Sequence, residues 1–286
     1  MIEFDIEILK KFDGIYNYFN PSGNNSKILF RREFNYNNQV LISDIVDQND
    51  NIILKHYFDD VFCYSYEDAR FINSNEISVS CCIRPLSDLS SIKEVQFKKY
   101  NLLTRTVVNF TNLKNPIEKN WQFITGEDKI IYHICPYTII NSNEEIIYLK
   151  NINFDPWIRD YGHPRLSTNI FSVDSKKYLL FHSNIYCGNY LKYFVGILRV
   201  DGNYIPVDYL KIPLLESSIT YSCPSILFNL WKWRNTQFLN SIKYEILFPM
   251  NVITDDKNIN IFSGINDCSA GIIKINKLEF LDKIKL

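Results

Sequence analysis

Short runs that are apolar for several residues, or that alternate apolar and polar with period two, recur along the chain between clusters of Asn, Asp, Gly and Ser. They predict strands at 27–34, 39–46, 77–85, 94–102, 105–110, 129–137, 145–150, 177–183, 193–200, 243–253, 258–265 and 270–275. VDQNDNI, NSNEEI, VDGNYI and TDDKNI each lie between two such runs and read as hairpin turns. Two stretches read as helix: 225–241 (SILFNLWKWRNTQFLNS) and the C-terminal KLEFLDKI. A dozen short strands in one chain describe an all-β sandwich, barrel or propeller.

A weak rhythm separates these architectures. The polar clusters NPS (20–22), YEDAR (66–70), EKNW (118–121) and HPRLS (163–167) stand about 50 residues apart, the size of a four-stranded propeller blade with its loops. FPMN (248–251) follows after a longer gap, which the helical segment near 225–241 would fill as an insertion. Five clusters predict a five-bladed β-propeller with a short C-terminal helical turn. The alternating MIEFDIEIL would supply a closing strand to the last blade and remove the exposed sheet edges. No linker or low-complexity tract interrupts 1–286, so one domain is expected. A plain β-sandwich with coincidental spacing is the alternative.

Composition narrows the function classes. Lys+Arg 31 against Asp+Glu 32 leaves a net charge of −1 over 286 residues, without a basic stripe, which disfavours nucleic acid as partner. No apolar run approaches the roughly 18 residues of a membrane span. Aromatic residues reach 15%, with Tyr 19 and Phe 20, which favours sheet over helix. The charged N-terminus lacks the apolar stretch of a signal peptide, and seven cysteines without C-x-x-C spacing suit reduced thiols in the cytoplasm rather than a zinc site. His56, His133, His163 and His182 lack metal-ligand spacing. Phosphate loops, a dinucleotide fingerprint and a nucleophile elbow are all missing, so no cofactor is expected.

Three clusters can carry chemistry. YEDAR sets Glu67 and Asp68 beside Arg70; in a cleft, Asp68 would serve as a general acid whose pKa and orientation its neighbours set. A surface ion pair at a strand end is the plainer reading. EKNW joins Glu118, Lys119 and an amide to Trp121, a set able to hold a sugar by ring stacking and hydroxyl contacts, or to form a turn around one buried indole. GINDCS presents Asp267 after a strand, where Asp is also a common turn former. WIRDYGHPR (157–165) reads as a tight connection between blades.

Taken in order, these clusters resemble the five-bladed propeller enzymes of glycoside hydrolase family 130, the mannoside phosphorylases and hydrolases, and their glycosyltransferase-like relatives. FNPSGNNSKILFRRE resembles the first-blade Asn-Pro-Ser and its later arginine, and YEDARFI resembles E-D-P-R-I with Ala69 in place of proline. EKNWQFI, HPRLSTNIFSVDSKKYLLFHS and LFPMNVITDDKNINIFSGINDCSAGIIKI resemble the third-, fourth- and fifth-blade segments, so the likeness runs from residue 19 to 275. The resemblance implies Asp68 as the catalytic acid. It implies Asn20, Ser22, Arg31 and Asp267 as sugar-binding residues, and Arg70, Lys119 and His182 near the attacking or departing anion. The implied partner is a carbohydrate, with phosphate or a nucleotide-sugar as second substrate, and a homo-oligomer or a fused partner domain stays open. HPRLST replaces the family's Gly- and Pro-rich run, and the full basic set for inorganic phosphate is missing, which favours a hydrolase or a sugar-transferring relative over a phosphorylase. A transferase using a sugar-phosphate or nucleotide-sugar donor, and a non-catalytic sugar-binding propeller, are the competing functions. Trp231, Trp233 and Arg234 in the insertion would suit an acceptor site, a dimer contact, or packing against a blade.

Overall fold

The structure is a computed structural model that describes residues 4–11, 13, 15–24, 26–36, 40–89, 91–109, 120–187, 190–216, 243–245, 247–265 and 269–285. Among these, 24 strands form five sheets, each a blade of a propeller. The first strand, β1 (Asp5–Lys11), stands apart from its chain neighbours and belongs to the last blade. Blade 1 is β2 (Asn17–Gly23), β3 (Ile28–Tyr36), β4 (Val40–Asp47) and β5 (Ile52–Leu54) in spatial order. Blade 2 runs β6 (Tyr57–Phe58), β7 (Phe62–Phe71), β8 (Glu76–Pro85), β9 (Glu94–Asn101) and β10 (Thr106–Asn109). Blade 3 is β11 (Gln122–Phe123), β12 (Ile130–Ile134), β13 (Tyr137–Ile140) and β14 (Ile146–Lys150).

Blade 4 joins β15 (Arg165–Leu166), β17 (Lys176–Cys187), β18 (Tyr190–Val200) and β19 (Pro206–Tyr209). The short β16 (Phe171–Val173) pairs with β17, while β20 (Leu215–Glu216) and β21 (Lys243–Glu245) pair with β18. Blade 5 is β22 (Leu247–Thr254), β23 (Asn258–Ile265) and β24 (Ser269–Asn276), and β1 pairs antiparallel with β24, Ile6 opposite Ile273. The chain's two ends thus share one blade, and the expected closing strand is present. Pairing the last sheet with the first strand satisfies an edge that would otherwise stand open.

The hydrophobic cores lie between successive blades. Leu29 and Ile45 of blade 1 pack with Tyr66, Val79 and Cys81 of blade 2. Phe97 of blade 2 meets Trp121, Phe123 and Ile130 of blade 3. Ile131 and Ile139 of blade 3 join Leu179, Phe181 and Leu198 of blade 4, and Leu180 and Ile197 join Ile261 and Ile273 of blade 5. Tyr18 and Phe30 meet Ala270, which completes the circle. Sheets covered on both faces explain why so many strands read as continuous apolar runs rather than clean alternation.

The four hairpin turns fall where the sequence predicts them, with Asp50, Glu144 and Tyr204 in left-handed backbone inside three of them. Two segments depart from the sequence expectation. The predicted 243–253 strand is two strands: β21 pairs parallel with β18 in blade 4, and β22 opens blade 5. The WIRDYGHPR connection contains a helix, α1 (Asp155–Tyr161), started by a proline in its first turn and anchored by buried Trp157, whose Nε1 donates to Ser183 Oγ at 3.0 Å. Seven residues are too few to show a helical period, so the stretch reads as loop in sequence. The C-terminal helix, α2 (Lys277–Lys283), forms as expected, with Asn276 accepting from Leu278 N–H. The 225–241 segment, with Trp231, Trp233 and Arg234, lies outside the described residues. No helix among the described residues is long and apolar enough to cross a membrane.

Candidate active site

The five polar clusters that set the sequence rhythm fall on, or immediately before, the first long strand of each blade or the short strand that opens it. In three of these strands the ladder is broken by a bulge at the cluster. On β2, Asn20 and Pro21 oppose Phe30 alone; on β7, Asp68 and Ala69 oppose Val79 alone; on β22, Met250 is the extra residue. A bulge re-aims side chains that regular pleating would send into the inter-blade core. Asn20 (φ +48°) and Asp68 (φ +53°) both occupy the left-handed region, which Asn and Asp tolerate better than other non-glycine residues.

The two bulges turn toward each other. Asn20 Nδ2 donates to Asp68 Oδ1 at 2.7 Å, with both residues buried. Gly264 of β23 makes room for this contact, because a Cβ there would lie 2.2 Å from Asn20 Oδ1. Arg31 of β3 approaches from the same blade, with Nη1 3.6 Å from Asp68 Oδ1. Its Nη2 bonds Glu33 Oε1 at 2.8 Å and Glu67 Oε1 at 3.1 Å. Burial works against the Arg31 charge, but Glu67, Glu33 and Asp68 together outweigh it and hold the guanidinium above its ordinary pKa. The expectation that Glu67 and Arg70 orient Asp68 is therefore refined: Asn20 orients it directly, and Glu67 acts on Arg31.

Arg70 crosses the centre of the ring. Its Nε donates to Ser167 O of blade 4 at 3.1 Å, its Nη2 lies 3.8 Å from Met250 Sδ of blade 5, and its Nη1 has no partner although the residue is 1% exposed. Burial pulls this guanidinium below its ordinary pKa, opposed by the charge of Asp68. Ser167 Oγ lies 2.5 Å from His182 Nδ1. Burial, with the charges of Arg165 and Arg70, pushes the His182 imidazole down to about 3, so it is neutral near pH 7. Its ring lies against Phe248 at 4.5 Å. Ser22 is fully buried and accepts from Phe71 N–H at 3.3 Å, tying blade 1 to blade 2.

The structure thus brings Asn20, Arg31 and Asp68 into one cluster, with Ser22, Arg70 and His182 around it. Trp121 stands apart in the core between blades 2 and 3, 1% exposed and packed against Phe97 and Tyr132. Its ring faces are covered by protein, so the sugar-stacking role expected for it is not available in this packing. Glu118, Lys119 and Asp267 lie outside the described residues. Sequence reasoning passed over Glu33, although its place two residues after Arg31 on a strand puts both side chains on one face. Ser167 and Met250 lie in the HPRLS and FPMN clusters, but sequence reasoning assigned neither of them a role. Asn20 Oδ1, Arg70 Nη1, Asn251 Oδ1 and Ser263 Oγ are buried without partners.

The five-bladed arrangement is shared with solved structures. No protein-family model matches the chain, and no curated protein matches it by sequence. Its fold matches the β-1,2-mannobiose phosphorylase of Listeria innocua, solved with β-1,2-mannobiose, at a TM-score of 0.63 and 12% identity, over 98% of this chain and 93% of that one. It also matches a mannose phosphorylase from Leishmania mexicana in complex with phosphate ion (TM-score 0.56, 14% identity, 97% and 91% covered). A third match comes from work on GH130 glycoside hydrolases that target β-1,2 mannosidic linkages in Candida mannan (TM-score 0.54, 11% identity, 96% and 94% covered). The fold is that of the mannoside phosphorylases and glycosidases.

Proposed function

We propose that the chain is a carbohydrate-active enzyme that cleaves a β-mannoside-like bond with inversion, with Asp68 as its single catalytic acid. The observation that carries this reading is the Asn20–Asp68 pair: two left-handed residues on facing bulges, joined at 2.7 Å with Arg31 alongside. Strained backbone retained in a buried cluster points to function rather than to stability.

In the proposed step, protonated Asp68 delivers its proton to the glycosidic oxygen, directly or through a sugar hydroxyl. The C1–O bond breaks while water or phosphate attacks C1 from the opposite face. Asn20 fixes the carboxyl, and Arg31 takes up the negative charge that Asp68 gains on losing its proton. The two forms differ in the nucleophile and in one proton: phosphate attacks as an anion, whereas attacking water also gives up a proton to a general base.

The test is incubation with β-1,2-mannobiose and longer β-mannosides, with and without inorganic phosphate, followed by NMR of the fresh product. Expected is α-configured mannose, or α-mannose 1-phosphate where phosphate is required. A β-configured product, or intact substrate under both conditions across the β-mannoside panel, overturns the reading.

A further inference from the structure

Blade 2 begins with the two-residue strand β6, where Tyr57 stands directly opposite Tyr64 of β7. Opposite residues of an antiparallel pair share one face of the sheet, and here the two rings stack, with centroids 4.3 Å apart and planes 8° from parallel. Tyr64 is half-buried, whereas Tyr57 is 44% exposed. Tyr64 covers one face of the Tyr57 ring, so exposure of this size leaves the other face open. Of the stacked ring pairs among the described residues, Tyr57 is the exposed member; the rings of the others are buried or half-buried.

The ring behind Tyr57 is fixed in place. Tyr64 Oη donates to Asp59 Oδ2 at 2.9 Å, and Asp59 Oδ1 accepts from the N–H groups of Val61 and Phe62 at 2.8 and 2.6 Å. Phe62 meets Tyr64 edge-on at 6.4 Å, and Lys98, itself buried, places Nζ 6.0 Å from the Tyr64 ring. A surface already held in its binding geometry gives up little freedom when a ligand settles on it. Tyr186 of β17 is more exposed, at 69%, but among the described residues no ring stacks behind it.

The face of an aromatic ring is its electron-rich side and attracts polarised C–H groups. A pyranose presents such C–H groups on a flat face and hydroxyls around its edge. Lys55, Asp59 and Asp60 are exposed and lie within three residues of Tyr57, which places charged partners for hydroxyls next to the ring. Tyr64 precedes Asp68 by four residues on β7, roughly 13 Å of extended strand, so the ring pair lies outside the Asp68 cluster.

We infer that Tyr57, backed by Tyr64, is a second carbohydrate-binding surface, which holds a long β-mannoside chain away from the Asp68 cluster. A single ring binds a sugar weakly, but a polymer held there raises the local concentration of bonds available to the catalytic site. The choice of a β-mannoside as the chain rests on the proposed function; the open ring and its support do not.

Affinity electrophoresis of the Asp68→Asn chain in native gels containing soluble β-mannan, with β-1,2-mannobiose added to occupy the Asp68 site, tests it. The polymer is expected to retard this protein, and adding Tyr57→Ala is expected to weaken the apparent affinity about fivefold. Tyr57→Phe, which keeps the ring, and Tyr186→Ala are expected to stay at the parent value. With Asp68 intact, Tyr57→Ala should turn over β-1,2-mannobiose at the parent rate and act more slowly on dilute polymer. Unchanged polymer affinity in Tyr57→Ala, an equal loss in Tyr186→Ala, an equal fall in mannobiose turnover, or no retardation of the parent overturns the proposal. If the chain turns over no β-mannoside yet binds the polymer through Tyr57, the functional reading fails and this one stands. Turnover of mannobiose with polymer binding indifferent to Tyr57 does the opposite.

Discussion

Asn20 and Asp68, 48 positions apart in the chain, share a 2.7 Å side-chain hydrogen bond while both hold left-handed backbone at a β-bulge. Neither conformation is required by its own strand. Each is sustained by the packing of blade 1 against blades 2 and 5, and together they hold one carboxyl oxygen between blades 1 and 2, beside Arg31.

Asp68→Asn keeps the shape of the side chain and removes the proton it can deliver. Turnover of an unactivated β-mannoside is expected to fall by roughly 10²–10⁴-fold. With an aryl mannoside whose leaving group departs without protonation, most of that loss should disappear. Equal losses on both substrates would show that Asp68 acts in some other way than as an acid.

Gly264 and Asn20 are predicted to be energetically coupled. Gly264→Ala forces a methyl against Asn20 Oδ1 and is expected to destabilise by about 1–3 kcal/mol and to lower turnover. In an Asn20→Gly background the 2.2 Å contact is gone and only the backbone nitrogen at 3.2 Å remains, so the same alanine should cost less. Urea denaturation of the four proteins in the cycle measures this; strictly additive changes would contradict the contact.

Arg31 neutralises a buried cluster of Glu33, Glu67 and Asp68. Arg31→Met removes the guanidinium shared by three buried carboxylates and is expected to cost about 3–5 kcal/mol. Glu67→Gln should cost less, since Glu33 and Asp68 still face the guanidinium. Arg159→Ala, which removes an exposed pair with Asp160, is the control and should leave the denaturation midpoint unchanged.

His182 yields a pH prediction. Its imidazole has an ordinary pKa of 6.5 and is held down to about 3 by burial and by Arg165 and Arg70, so between these values the unfolded chain binds a proton that the folded chain refuses. Stability therefore rises with pH through that window, is fully present above about 6.5, and is lost as pH falls toward 3. The His182 contribution to the slope approaches at most about 1.4 kcal/mol per pH unit. Thermal melts from pH 4.5 to 7 should show a shallower dependence in His182→Gln than in the parent; identical slopes would mean the imidazole titrates normally in the fold.

Much of the architecture is legible in the chain. Strand-length apolar runs, turn clusters and the spacing of NPS, YEDAR, EKNW and HPRLS are local properties, and four of the five blades are assembled from consecutive segments, so a local signal suffices. The closing strand is legible for a different reason: β1 alternates, and an alternating strand with no hairpin partner of its own must pair elsewhere. Helix α1 is not legible, because its one buried anchor, Trp157, is explained only by the Phe181 and Ser183 environment of another strand.

The site divides along the same line. Residue types alone single out Asp68 with Glu67 and Arg70, since a carboxyl beside charged neighbours is where acid chemistry would be sought, while Asn20 and Arg31 enter only through the family resemblance. Which groups touch which is decided by tertiary packing. Burial closes the faces of Trp121, holds His182 neutral and commits Arg70 to Ser167, while Glu33 and Gly264 gain their roles only because blades 1, 2 and 5 converge. Periodicity and turn chemistry act between neighbours in the chain and can be read there; contacts across the ring depend on how five separately formed sheets close around a common axis, which no local pattern encodes.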